Sequence, residues 1–197
     1  MKNILIATIF SFICLYAIGA QALLITPSLC TDGTGPGCWY GDDPVNPKAD
    51  DIEAIVGIGF DLVEVYKDNE GGVEEGPLQA YYNTEYLDSP DPSNADITYT
   101  GDSGDPSISC PECFLLVKDG NNDPRWYIFD LTSLAGLVDW NGTDTLELRD
   151  FWFPGGGSIS HIALYSGANP IPEPTTMALL GAGLAGLIGL RGRRRNK

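Results

Sequence analysis

Positive charge is almost missing from the body of this 197-residue chain. Of its 11 Lys and Arg, only Lys48, Lys67, Lys118, Arg125 and Arg149 lie between residues 23 and 170. All of its 27 acidic residues except Glu173 also lie there, which leaves that stretch a net charge of about −21. Such a surface repels phosphate backbones and excludes nucleic acid as a partner. Divalent cations or basic polymers are compatible with it, as is plain solvation of a secreted domain. Histidine is just as scarce. His161 is the only one, and no Ser or Cys is paired with it by the sequence, so no nucleophile–base constellation stands out. It falls on a strand face shared with Ile159, Ala163 and Tyr165, the setting of a packed, hydrogen-bonded imidazole. There is no internal repeat, and no low-complexity linker apart from Gly167 to Pro174. Recurrent clusters of aromatic and branched aliphatic residues exclude a disordered chain.

The two ends are organised differently from the body. Lys2 precedes an uncharged apolar stretch from Ile4 to Ile18, and Ala20-Gln21-Ala22 supplies a small-x-small cleavage site. Residues 1–22 therefore read as a secretory signal peptide, handled by the Sec translocon and a signal peptidase and cut after Ala22. The competing reading is an uncleaved anchor. Lipoprotein processing is excluded, because Cys14 sits inside the apolar stretch without a small residue before it. At the other end, Thr175 to Leu190 is an uncharged apolar run of 16 residues, flanked by Pro172-Glu173-Pro174 and by Arg191, Arg193, Arg194, Arg195 and Lys197. As a helix it spans about 24 Å, short of the ~30 Å hydrocarbon core. The basic cluster stays cytoplasmic, on the side of Lys2, so the acidic body lies across the membrane. Gly181, Ala182, Ala185, Gly186 and Gly189 allow close approach of another membrane helix. An ordinary single-pass anchor is the alternative.

The Pro-Glu-Pro tripeptide, the Gly-rich span and the final Arg run together resemble the PEP-CTERM tail, the sorting signal handled by exosortases. The resemblance covers Ile171 to Lys197. It implies that a membrane-embedded, cysteine-dependent exosortase cuts near Pro172–Pro174 after an inner-membrane stage. It also implies delivery to the cell surface or an extracellular polysaccharide and biofilm layer. The same tail is sometimes labelled an ice-binding protein C-terminal domain. Ice binding is not carried over, since the body has no repeated flat Thr-rich face. A second resemblance covers Cys113 to Tyr165, through Leu116 to Asn121, Trp126 to Leu131, Trp140 to Thr143 and Ser158 to Tyr165. These segments are similar to a module common among PEP-CTERM proteins, one that brings no known catalytic residue.

The chain thus divides into three parts: signal peptide 1–22, exported acidic domain 23–170 and sorting tail 171–197. In the middle part, strands are predicted at Leu62–Lys67, Leu78–Tyr86, Ile97–Thr100, Phe114–Lys118, Trp126–Leu131, Thr145–Phe151 and Ile159–Ser166, separated by Gly, Pro, Asn and Asp clusters. Leu146 and Leu148 alternate with Glu147 and Arg149, while Phe114 to Val117 is apolar throughout, as in a central strand. One short helix is predicted, capped by Asn46, with Pro47 in its first turn and Gly57 ending it. The expected fold is mainly β: an antiparallel β-sandwich, jelly-roll-like, with one helix.

Cys30, Cys38, Cys110 and Cys113 form an even set in an oxidising compartment and predict two disulfides. Of three connectivities the local one is preferred, Cys30–Cys38 and Cys110–Cys113, with the first stabilising the fold by roughly 2.5 kcal/mol on the chain-entropy model. Cys110-Pro111-Glu112-Cys113 has redox spacing, but Phe114 to Val117 beyond it suit a strand rather than the helix that lowers a redox thiol's pKa. A four-cysteine zinc site has only one half with knuckle spacing. No cofactor is expected unless calcium binds. Its candidate ligands are Asp119, Asn121 and Asp123, with Asp42, Asp43, Asp50 and Asp51 as a second acidic group. No EF-hand is present, and Asp-Gly-Asn equally suits a hairpin turn. Tyr81, Tyr82, Tyr86, Trp126, Trp140 and Trp152 lie near turns, where rings stack on sugars or fill a core. Asn141-Gly142-Thr143 matches a glycosylation sequon, of little weight in a bacterium. No pair among the many acids is selected for glycoside hydrolysis. The expected function is a non-enzymatic surface or matrix protein; the alternatives are a carbohydrate- or calcium-binding module and a secreted hydrolase.

Overall fold

The structure, a computed structural model, describes residues 22–30, 34–35, 37–59, 61–132 and 140–167. Ala20 of the predicted cleavage site, Pro172, Glu173 and Pro174, the apolar span predicted as a transmembrane helix, and the basic end Arg191, Arg193, Arg194, Arg195 and Lys197 lie outside the described residues. Among those described, no helix is long and apolar enough to cross a membrane.

The described part is mainly β, with two sheets and one helix. Its strands are β1 (Ala22–Ile25), β2 (Thr34–Gly35), β3 (Cys38–Gly41), β4 (Leu62–Asn69), β5 (Tyr82–Tyr86), β6 (Ala95–Tyr99), β7 (Cys113–Lys118), β8 (Trp126–Asp130), β9 (Thr145–Leu148) and β10 (His161–Gly167), and the helix is α1 (Ala49–Val56). One sheet runs β1-β9-β6-β5, the other β2-β3-β8-β7-β10-β4. The antiparallel expectation needs one correction: β1 pairs with β9 in parallel, Ala22 opposite Thr145 and Ile25 opposite Leu148.

The inner faces of the two sheets share one core. Ile25, Tyr82, Ala95, Ile97, Leu146 and Leu148 from the smaller sheet meet Val65, Tyr66, Leu115, Val117, Phe129, Ile162 and Leu164 from the larger. Tyr66 and Tyr82 bridge them with ring centroids 5.6 Å apart, and the Tyr66 and Thr84 hydroxyls are hydrogen-bonded at 2.8 Å. The outer face of the larger sheet carries a second apolar cluster. There Leu62, Phe114, Leu116, Trp126, Ile128, Ala163 and Tyr165 lie under Ile52 of α1. Covering both faces explains why all six residues of β7 are buried, as its unbroken apolar run predicts.

Local chemistry sets several boundaries. The helix starts later than predicted, with Lys48 rather than Asn46 at its N-cap, because the Asp51 carboxylate accepts the Lys48 N–H at 2.9 Å. It ends at Gly57, in the left-handed region at φ 76°. The strand predicted from Leu78 starts only at Tyr82, since Gln79–Tyr81 turns as a 3-10 helix. In β4 a register shift opposite Leu164 and Tyr165 puts both Val65 and Tyr66 on the inner core. The strand predicted to reach Phe151 stops at Leu148, and that early stop frees residues 149–158 to form a loop.

Candidate functional site

After β9 the chain leaves the sheet and forms a loop with two non-glycine residues in the left-handed region, Asp150 at φ 59° and Trp152 at φ 57°. A Cβ makes that conformation costly, by about 1–3 kcal/mol each, so surrounding contacts must hold it. On one side, the N–H groups of Asp150, Phe151 and Ile159 donate to Asn94 Oδ1, Ser93 O and Pro92 O at 2.9, 3.0 and 2.7 Å. On the other, the Trp152 indole N–H donates to Pro124 O at 2.7 Å, and Ser158 N–H donates to Asp119 Oδ2 at 2.7 Å.

Asp119 is the hub. It is buried at the end of β7, and besides Ser158 it accepts the N–H groups of Asn121 and Asn122 at 2.7 and 3.1 Å and the Asn122 side-chain amide at 3.1 Å. Burial alone raises its carboxyl. The donors from Asn121, Ser158 and Asn122 outweigh that and hold the carboxyl below the usual range. Gly157 is required beside it, since a Cβ there would lie 2.7 Å from Trp152 Cβ and against the Asp119 carboxylate. The sequence pointed to Asp119, Asn121 and Asp123 as calcium ligands. The structure turns the Asp119 carboxylate inward as a clamp between two loops and leaves Asn121 and Asp123 exposed. Among the described residues no group of three or more His, Cys, Asp or Glu side chains converges as a metal site requires.

Between the clamped loops lies a cleft of about 280 Å³, lined by Asn122, Asp123, Pro124, Tyr127, Trp152, Phe153, Gly155 and Gly157. Phe151 is fully buried, Trp152 is nearly so and packs on Tyr127 (5.4 Å between centroids), and Phe153 is 70 % exposed. Three consecutive rings thus descend from solvent to core. Of the aromatics the sequence flagged, Tyr82, Trp126, Trp140 and Trp152 are buried. The exposed ring, Phe153, was not flagged. Its signal was the run Phe151-Trp152-Phe153-Pro154, where no strand alternation continues and three glycines come next.

Two other concavities are larger. One, of about 400 Å³, lies at the start of α1 and is lined by Lys48, Glu64, Lys67, His161 and Tyr165 among others. His161 therefore borders a groove rather than the core, opposite Lys118 on β7. Burial, with Lys118 and Lys67 nearby, lowers its pKa to about 4, so the imidazole is neutral at physiological pH. The other, of about 410 Å³, is lined by Asp68, Glu74, Thr84 and Tyr86. Burial, then Glu74, raises the Asp68 carboxyl. The cysteines pair locally, Cys30 with Cys38 and Cys110 with Cys113, their Cα atoms 5.2 and 5.1 Å apart. Asn141 of the sequon caps a turn instead, accepting the N–H groups of Thr143 and Asp144 at 2.8 Å each.

Neither a curated protein nor a solved structure matches the chain. The family model of the PEP-CTERM protein-sorting motif matches residues 170–195, the segment that holds the tripeptide, the apolar span and the Arg run. The chain thus carries the PEP-CTERM protein-sorting motif in its tail, and that motif implies an exported protein sorted by an exosortase to the cell envelope or surface.

Proposed function

We propose that the chain is a non-enzymatic surface or extracellular-matrix protein, exported through the Sec translocon, held at the inner membrane by its tail and released by exosortase into an exopolysaccharide layer. The match of the PEP-CTERM motif to residues 170–195 carries this reading. Support for a non-catalytic role comes from the described domain. Its one imidazole borders a groove where burial and two lysines keep it neutral and a weak base. The cleft presents rings, an amide and a carboxylate, which suit binding.

Cell fractionation with intact-mass measurement tests the reading. The mature protein should be recovered outside the inner membrane, with a C-terminus near Pro172–Pro174. In cells without exosortase a longer, membrane-bound form should accumulate. A wild-type product that ends at Lys197 and stays in the membrane would show that the tail is only an anchor.

A further inference from the structure

We propose that the cleft between the 120–125 turn and the 149–158 loop binds a neutral hexopyranose segment of a polysaccharide. Phe153 stacks on a sugar face, and the Asp123 carboxylate accepts hydrogen bonds from neighbouring hydroxyls. This rests on the reading of the chain as an extracellular protein in a polysaccharide layer, and it names the ligand class and the residues that take it.

Four observations lead there. First, Phe153 is 70 % exposed in a loop held at left-handed φ values by contacts on both sides, so the ring is presented by a fixed backbone. A ring fixed before binding loses little freedom on binding, which favours recognition. Second, the cleft is amphipathic. Aromatic faces from Trp152 and Phe153 lie beside Asn122 and Asp123, and the Asp123 carboxylate makes no hydrogen bond or ion pair among the described residues. Sugar rings have one apolar C–H face and a rim of hydroxyls, and they need both kinds of partner. Third, Gly155 and Gly157 form part of the wall with bare backbone, which permits close approach of a flat ring. Fourth, charge selects within the sugars. Asp123 stands at the cleft on a body of about −21, so uronate or sulfated chains are repelled and neutral ones are not. The volume of about 280 Å³ suits a short segment of one chain.

Isothermal titration of the mature exported protein with cellohexaose, laminarihexaose and mannohexaose tests this, with alginate as the acidic comparison. At least one neutral hexaose should bind saturably, and alginate should not bind. Phe153→Ala should weaken that binding by about tenfold or more, as loss of an aromatic anchor does. Phe153→Trp should retain it, and Asp123→Ala should weaken it without changing the melting temperature. Val73→Ala, in a different concavity, should leave binding unchanged. Phe153 is exposed, so its variants should fold; circular dichroism checks this. The proposal is overturned if no neutral hexaose binds, if alginate binds as tightly, or if Phe153→Ala binds like the wild type. Failure here is separate from failure of the localisation reading. Fractionation can place the protein in the matrix while the purified protein binds none of the three hexaoses.

Discussion

The aromatic cleft and the His161 groove show two ways in which a protein uses polar groups near a cavity. The groove holds the residues that invite a chemical reading: the one histidine, two lysines, a glutamate and a tyrosine. Most of them are already engaged. Lys67 lies 3.8 Å from Glu75, Tyr165 donates to Glu64 at 3.0 Å, and neighbouring Lys118 donates to Asp119 O at 3.0 Å. The imidazole is left neutral between cations. In the cleft the most engaged group, Asp119, is buried behind the surface, and the outward Asp123 carboxylate is left unspent. What marks the better binding surface is this division of labour, since the cleft is the smaller of the two.

Breaking the clamp should have the largest effect. Asp119→Ala leaves the N–H groups of Asn121, Asn122 and Ser158 without their acceptor, and should destabilise the domain by about 3–4 kcal/mol in urea denaturation. If the loss is below about 1 kcal/mol, the loops hold themselves and the clamp is incidental.

The groove should instead reveal itself through pH. The folded-state pKa of His161 is depressed to about 4 from 6.5, so the unfolded chain binds the proton first as pH falls. Its contribution is fully present above pH 6.5 and is lost as pH drops toward 4, up to about 2–3 kcal/mol over that window. His161→Gln should flatten the stability–pH curve between those values. An unchanged slope would mean that carboxylates alone set it.

The smallest effect has the opposite sign. Asp150 is exposed and left-handed at φ 59°, and its side chain is not part of the cleft. Asp150→Gly should stabilise the fold by about 0.5–1 kcal/mol, the relief of strain being partly offset by chain entropy. Destabilisation would show that the carboxylate has a role of its own.

Much of the fold was legible, and the failures share a physical cause. The unbroken run Phe114 to Val117 placed β7 at the centre of a sheet, the alternation around Leu146 and Leu148 placed β9, and Gly57 marked the end of the helix. Strand β1 was missed because Ala22–Ile25 continues the apolar character of the predicted export signal, and its partner, Thr145–Leu148, lies more than 100 residues away. Strand β3, Cys38–Gly41, is short and does not alternate, so only pairing with β8 makes it a strand. Asp119 was seen, but its task was not. A turn of Asp, Gly and Asn reads alike whether its oxygens face an ion or a backbone, and the deciding donor, Ser158, lies 39 residues on. Asp is only a weak sign of left-handed backbone and Trp is none, so the Asp150–Trp152 loop could not be read.

The position of β10 bears on how the domain takes mechanical load. Among the described residues it is the strand nearest the sorting tail, and it is flanked on both sides, by β7 and β4, through antiparallel ladders. Tension applied beyond Gly167 along the strand therefore loads both ladders in shear, so that many hydrogen bonds must yield together. An edge strand in the same place would peel away bond by bond. A chain pulled from its C-terminal side while held at a membrane, or embedded in a stretched matrix, meets that force at a strand secured by two neighbours.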